Sequence, residues 1–140
     1  MLGMTGTHGD SEIVLFFAGR SLLSQAGQWV LRHPGYLLRR AASVQPRTVR
    51  RALSGAAVVV IDATDWPGLA MAALERALAQ CGPKQVAVYT EVIHEGLELF
   101  VRVRKALLLL GPMQPTEWEA FFSPRLPAAP PPRAWDKMIE

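Results

Sequence analysis

The sequence has few of the features that mark secreted, membrane or metal-binding proteins. Its single cysteine, Cys81, cannot form an internal disulfide. No apolar run reaches the roughly 18–20 residues that a membrane span needs. The first ten residues lack the basic and apolar regions of a secretory signal, and the three histidines have no second ligand at metal spacing. These absences predict a cytoplasmic protein that uses neither a membrane nor a metal.

The residues that are present suffice for one folded domain with a basic N-terminal part. Half of the 140 residues are apolar, and residues 1–55 carry seven arginines against two carboxylates. A basic face is typical of proteins that meet an acidic partner or a nucleic acid, although it is also common on a solvated helix. A nucleic-acid-binding module ranks last among our hypotheses, because no reading helix or stacking platform accompanies the arginines Arg39, Arg40, Arg47, Arg50 and Arg51.

Short apolar runs alternate with helical patterns five times along the chain. The central run, 57–61, is followed directly by Asp62. The other runs lie at 13–17, 36–41, 85–90 and 107–110. Nearly continuous apolar runs indicate strands buried on both faces of a parallel sheet. The alternation predicts an α/β fold with a five-stranded, doubly wound parallel sheet in the flavodoxin-like order 2-1-3-4-5. We expect this domain to span residues 12–123, after a flexible lead-in at 1–11.

A proline-rich tail is predicted at 124–140. Beyond its prolines, Trp135, Met138 and Ile139 are spaced at i, i+3 and i+4. A spacer followed by a small apolar stripe is typical of a docking peptide. The alternative is an ordinary disordered terminus, with Trp135 packed back on the domain.

Three stretches resemble the CheY-like receiver domain of bacterial two-component response regulators. The run 58–62 with Pro67-Gly68 resembles the strand and loop of the phosphoacceptor aspartate. The run 86–90 resembles the strand whose last residue contacts the phosphoryl group, and 108–118 resembles the fifth strand, a Lys-Pro turn and the start of the last helix. The spacings fit: 28 residues from Asp62 to Thr90 and 21 from Thr90 to Gly111. The resemblance covers about residues 12–123 and implies a role in signal transduction.

The departures from the family pattern bear on the chemistry. In the family, an acidic pair after the first strand holds magnesium, and a lysine after the fifth strand pairs with the phosphoryl group. The matching positions here are Phe17, Ala18 and Gly111. Transfer of a phosphoryl group to a carboxylate needs a metal, because the negatively charged oxygens repel one another. These losses predict a degenerate pseudo-receiver that is not an enzyme and needs no cofactor.

The role of Asp62 remains open between two hypotheses. Its carboxylate could hydrogen-bond backbone N–H groups of the following turn, or Thr90, and so have a structural role. Alternatively, Asp62 could accept a phosphoryl group with magnesium bound in an unusual way. Asp65, a further candidate ligand, is better interpreted as the cap of the next helix.

A pseudo-receiver would act through protein–protein contacts. In the receiver family the usual output surface combines the fourth helix, the fifth strand and the last helix. We therefore expect a protein partner from a signalling pathway at this surface. Adjacent opposite charges there would also suit an isologous homodimer. The candidate interface residues are Phe100, Arg104, Trp118 and Phe122.

Overall fold

A computed structural model describes residues 12–127, which form a five-stranded parallel sheet with helices on both faces. The strands follow the order β2-β1-β3-β4-β5, and every neighbouring pair is parallel. The predicted fold class and strand order are therefore confirmed. The strands are β1 (Glu12–Phe16), β2 (Leu37–Ala41), β3 (Ala56–Asp62), β4 (Val86–Thr90) and β5 (Leu107–Leu110).

Five α-helices connect and follow the strands. Three of them begin with proline, whose fixed φ and missing N–H suit the first helical position. The fourth helix begins at Leu97, because Gly96 adopts a left-handed conformation (φ +80°) just before it. The helices are α1 (Arg20–Leu31), α2 (Pro46–Leu53), α3 (Pro67–Gln80), α4 (Leu97–Val103) and α5 (Pro115–Phe122), with a short 3-10 helix at Pro83–Gln85.

The sheet separates two hydrophobic cores. On one face α1 and α5 pack Trp29, Trp118 and Phe122 against the strands. On the other face α2, α3 and α4 cover side chains such as Ile61. The middle of β3 is fully buried on both faces, which explains why its sequence is continuously apolar rather than alternating.

The chain stays attached to the domain beyond its last helix. Leu126 is buried, and the Tyr36 hydroxyl donates a hydrogen bond to the Pro127 carbonyl. The packed region thus extends past the predicted boundary at residue 123. The predicted lead-in and the predicted docking residues Trp135, Met138 and Ile139 lie outside the described residues.

The two edge strands differ in chemistry. β2 carries Arg39 and Arg40, and charged side chains on an edge strand oppose its pairing with another chain. β5 consists of four leucines, and Leu107 and Leu110 are exposed. An apolar edge without charge invites pairing with another chain, and the shortness of β5 is its one protection apparent from the sequence.

Candidate functional site

The residues singled out for phosphorylation chemistry meet at one edge of the sheet. Asp62 ends β3 and Thr90 ends β4, while Phe17 and Ala18 follow β1 and Gly111 follows β5. Because the strands are parallel, their carboxyl ends all lie at this edge, where α/β sheets place their functional crevice. The topology therefore brings together the positions that the sequence had placed far apart.

Both carboxylate oxygens of Asp62 are occupied by backbone donors. The Gly19 N–H donates to Oδ2 at 2.9 Å, and the Thr64 N–H donates to Oδ1 at 2.9 Å. The side chain is 4% exposed. Asp62 thus joins the turn after β1 to the turn after β3. The bond from the Thr64 N–H is the kind of contact that the structural hypothesis for Asp62 describes.

Thr90 does not contact Asp62. Its hydroxyl donates to the Val92 carbonyl at 2.6 Å and accepts from the Val92 N–H at 3.2 Å. The side chain is buried and closes its own turn. The two receiver-like residues are therefore near in the fold but act in separate turns.

Magnesium is held by several oxygen ligands, usually including carboxylates. Phe17 and Ala18 offer no side-chain oxygen, Asp62 already accepts two hydrogen bonds, and Asp65 adds one exposed carboxylate beside it. Nowhere in residues 12–127 do three His, Cys, Asp or Glu side chains lie close enough to hold a metal ion. No magnesium-dependent step can be derived from these residues.

Asp65 is not the cap of α3. The helix begins at Pro67, its N-cap residue is Trp66, and no side chain caps it. The prediction was wrong because the helix starts one residue later than the position that Asp65 could cap. Its carboxylate instead lies near Gly19, beside that of Asp62.

The Tyr89 side chain occupies the space that a side chain at position 111 would need. A Cβ atom added to Gly111 would lie less than 3.0 Å from three atoms of the Tyr89 side chain. The Tyr89 ring is buried and stacks on Trp118, with centroids 5.9 Å apart. A lysine at position 111 therefore has no room in this packing.

The Tyr89 hydroxyl belongs to a polar network that the sequence analysis missed. It accepts a hydrogen bond from Gln25 Nε2 at 2.8 Å and donates to the Glu91 carboxylate. Glu91 also accepts from the Ser21 hydroxyl. Burial and the Glu91 contact raise the pKa of Tyr89 to about 12, while hydrogen bonds from Ser21 and Tyr89 lower the pKa of Glu91.

Gln25 connects this network to the last helix. Its Oε1 accepts from the Met113 N–H at 2.9 Å and from Trp118 Nε1 at 3.0 Å. One signal could have revealed it: Gln25 lies between Leu22 and Trp29 at helical spacing, on the buried face of α1. A polar residue on such a face needs partners. The hydrogen bonds of this network hold α1, the end of β4 and the start of α5 together at the carboxyl edge of the sheet.

Two of the four predicted interface residues are in the core. Trp118 is 1% exposed and Phe122 is fully buried, so the prediction that they form a surface is wrong. The reason is the length of α5: its aromatic side chains all turn inward to cover the sheet and α1. Phe100 and Arg104 are half-buried, with the guanidinium 3.4 Å from the ring centroid and 2.7 Å from the Glu75 carboxylate.

Other apolar side chains are exposed on α4 and on both faces of the edge strand β5. We call this set the α4–β5 surface, and it consists of Leu99, Val103, Leu107 and Leu110, exposed by 56%, 65%, 39% and 62%. Leu99 and Val103 are spaced at i and i+4, so they share one helix face. Exposed apolar residues thus occur on α4 and β5, but they are not the residues that were predicted.

The five arginines that were considered for nucleic-acid binding form two groups. Arg39 pairs with Glu12 at 2.6 Å and donates to the Ala52 carbonyl at 2.6 Å, so it holds β2 to β1 and α2. The other four, Arg40, Arg47, Arg50 and Arg51, are exposed. Arg39 is thus structural, and the remaining positive charge lies around the β2 edge.

Comparisons with known proteins support the fold. No family model and no curated protein matches the chain. One solved structure, described as that of a candidate CpaE2 pilus assembly protein from Sinorhizobium meliloti, has a TM-score of 0.55 at 18% identity, covering 80% of this chain and 97% of its own. A second, of a candidate pilus assembly-related protein from Burkholderia pseudomallei, has a TM-score of 0.62 at 17% identity, covering 84% and 90%. The likeness shows the fold alone, a receiver-like α/β domain.

No helix within residues 12–127 is both long enough and apolar enough to cross a membrane.

Proposed function

We propose that this chain is a receiver-like signalling domain that acts by protein–protein contact, without phosphorylation and without catalysis. The observation that carries the proposal is the state of Asp62, whose two oxygens both accept backbone hydrogen bonds. Hydrogen bonds to a charged group contribute about 1.5–3 kcal/mol each. An attack by Asp62 on a phosphoryl group would weaken these bonds, and Phe17 and Ala18, which match the family's acidic pair, offer no oxygen ligand for a metal that would compensate.

The environment of Gly111 supports the same conclusion. A receiver uses a cation to stabilise the added phosphoryl charge, as the resemblance implies. Here Tyr89 occupies that space and is held by Gln25 and Glu91. The carboxyl edge of the sheet would thus keep one conformation, and the domain would present constant surfaces to its partners.

Pilus assembly is the setting that we propose for this domain. Both structural neighbours are described by that process, and the likeness covers at least four-fifths of this chain. In the source bacterium, deletion of the gene should abolish surface pili, and an Asp62→Asn variant should restore them. If Asp62→Asn behaves as the deletion does while the protein is present at normal levels, phosphorylation independence is wrong.

The decisive biochemical test is exposure of the purified protein to acetyl phosphate and magnesium, read by intact mass. A working receiver domain in the same buffer controls for the reagent. Neither the wild type nor Asp62→Ala should gain a phosphoryl group. An adduct on the wild type that is lost in Asp62→Ala would overturn the proposal and establish a phosphorylatable receiver.

The α4–β5 surface is our proposed contact site, with a second copy of the chain as the first partner to test. Two exposed apolar side chains of α4 and two of β5 lie there, and β5 is an edge strand without charge. Sedimentation velocity should show a dimer for the wild type and a monomer for Leu107→Lys/Leu110→Lys. Leu31→Lys, at the end of α1 and 82% exposed, is the control. A monomeric wild type, or a dimer unaffected by the double substitution, would contradict this part of the proposal.

A further inference from the structure

A second surface lies near β2, the edge strand on the opposite side of the sheet from β5. It is a cleft of about 490 Å³ between the turn after β1, the end of β2 and the first turn of α3. We call it the β2-edge cleft; its principal residues are Phe17, Ala18, Arg40, Ala41, Trp66 and Leu69. No role in the proposed function above has been given to it.

The walls of the β2-edge cleft are apolar and open to solvent. Trp66 is 60% exposed and Leu69 is 41% exposed. Phe17 adopts a left-handed conformation with φ +57°, and its N–H donates to the Ala41 carbonyl at 2.9 Å. Such a conformation costs a residue with a side chain about 1–2 kcal/mol, and it tends to persist at binding sites, where the surroundings hold it.

Positive charge surrounds the cleft. Arg40 lines it, and α2 begins a few residues after β2 ends, so its first turn with Arg47 lies at the same edge of the sheet. Arg50 and Arg51 continue this exposed row along α2. None of these four arginines makes an ion pair within residues 12–127. Asp65 is an exposed carboxylate next to Trp66, and it forms no ion pair with these arginines.

We propose that the β2-edge cleft binds an acidic peptide segment of a partner protein. An apolar side chain of the segment would enter the cleft between Phe17 and Trp66, and its carboxylates would face Arg40 and Arg47. Arginine suits this role because its planar donors match a carboxylate with two parallel hydrogen bonds. The binding is independent of Asp62 and of the α4–β5 surface, so it stands or falls apart from the proposed function.

The shape of the surface favours a peptide over the other polyanions. A membrane takes up apolar side chains that protrude, whereas here Phe17 and Leu69 are walls of a concave site. A duplex nucleic acid would meet arginines on only one eight-residue helix. An extended acidic chain with one apolar anchor matches both the concavity and the charge.

The experiment selects random dodecapeptides by display on the full-length protein and titrates the best binder in low salt. The selected peptides should be rich in Asp and Glu with an aromatic or aliphatic residue, and the peptide should shift the Trp66 indole resonance. Arg47→Glu and Trp66→Ala should each weaken binding about tenfold or more. Arg102→Glu makes the same charge change at the other edge of the sheet and should bind as the wild type does.

Circular dichroism and thermal unfolding establish that each variant is folded, and Leu69→Glu replaces Trp66→Ala if that variant is not. Binding that is weakened equally by Arg102→Glu would overturn the proposal, as would selected peptides without acidic enrichment. Anionic phosphatidylglycerol vesicles and duplex DNA are titrated in parallel. Stronger Arg47- and Trp66-dependent binding to either one than to the peptide would overturn it in favour of that ligand.

Discussion

Gly111→Ala should destabilise the domain by about 1–3 kcal/mol, the usual cost of forcing an extra methyl group into a packed core. The new Cβ would lie less than 3.0 Å from three atoms of the Tyr89 side chain. The ring cannot move aside easily, because it stacks on Trp118 and its hydroxyl is bound by Gln25 and Glu91. The free energy of unfolding of the full chain in urea measures the effect.

Gly27→Ala in α1 is the matched control. A Cβ at Gly27 meets nothing within 4 Å, so the substitution should stabilise the helix by about 0.5–1 kcal/mol. The two glycine-to-alanine changes should therefore have opposite signs.

A double-mutant cycle identifies Tyr89 as the cause. Tyr89→Leu lacks the ring atoms that the new Cβ would meet, so Gly111→Ala should cost little in that background. The reasoning is refuted if Gly111→Ala leaves the stability of the wild type unchanged. It is also refuted if the cost of Gly111→Ala is the same with tyrosine and with leucine at position 89.

Three further predictions concern the carboxyl edge of the sheet. Asp62→Ala should lower the free energy of unfolding in urea by about 1–3 kcal/mol, because two backbone N–H groups lose their acceptor; an unchanged value would mean that these bonds contribute nothing. Gln25→Leu should speed hydrogen exchange of the Trp118 indole N–H, which loses its acceptor, and unaltered exchange would count against the network. Glu91 has a pKa below 4.5 in the fold, so its contribution is present above pH 4.5 and is lost as pH falls through the lowered pKa. The stability advantage of the wild type over Glu91→Gln should shrink in that acid range, and a constant difference would contradict the assignment.

The sequence was sufficient to predict the positions of the candidate site but not their contacts. The apolar runs and their spacing placed Asp62, Thr90 and Gly111 at strand ends, and parallel strands necessarily bring those ends to one edge. The partners of Asp62 were only partly foreseen, since the Gly19 N–H comes from a turn 43 residues away. A hydrogen bond between two distant turns requires the strands before those turns to lie side by side at the right distance. The hydrophobic periodicity of a sequence does not give that distance.

The interface prediction failed for a related reason. Trp118 and Phe122 were predicted to form an interface, yet both are buried, as is Phe121 between them. Exposure depends on what packs opposite a helix, and here α1 and the tail residue Leu126 complete the enclosure. The apolar residues that are exposed, such as Val103 and Leu110, belong to runs that look like ordinary core in the sequence.

The sequence by itself determined the order of the elements and the parallel sheet, because continuous apolar strands separated by helices have few other ways to bury their surface. Residue type alone also determined that Phe17, Ala18 and Gly111 stand where the resemblance to receiver domains implies two carboxylates and a lysine. Only the tertiary structure decided that Tyr89 fills the space beside Gly111 and that the polar groups of Gln25 and Glu91 hold it there. Those contacts join α1, β4 and the loop before α5, and they exist only once the sheet has brought these segments together.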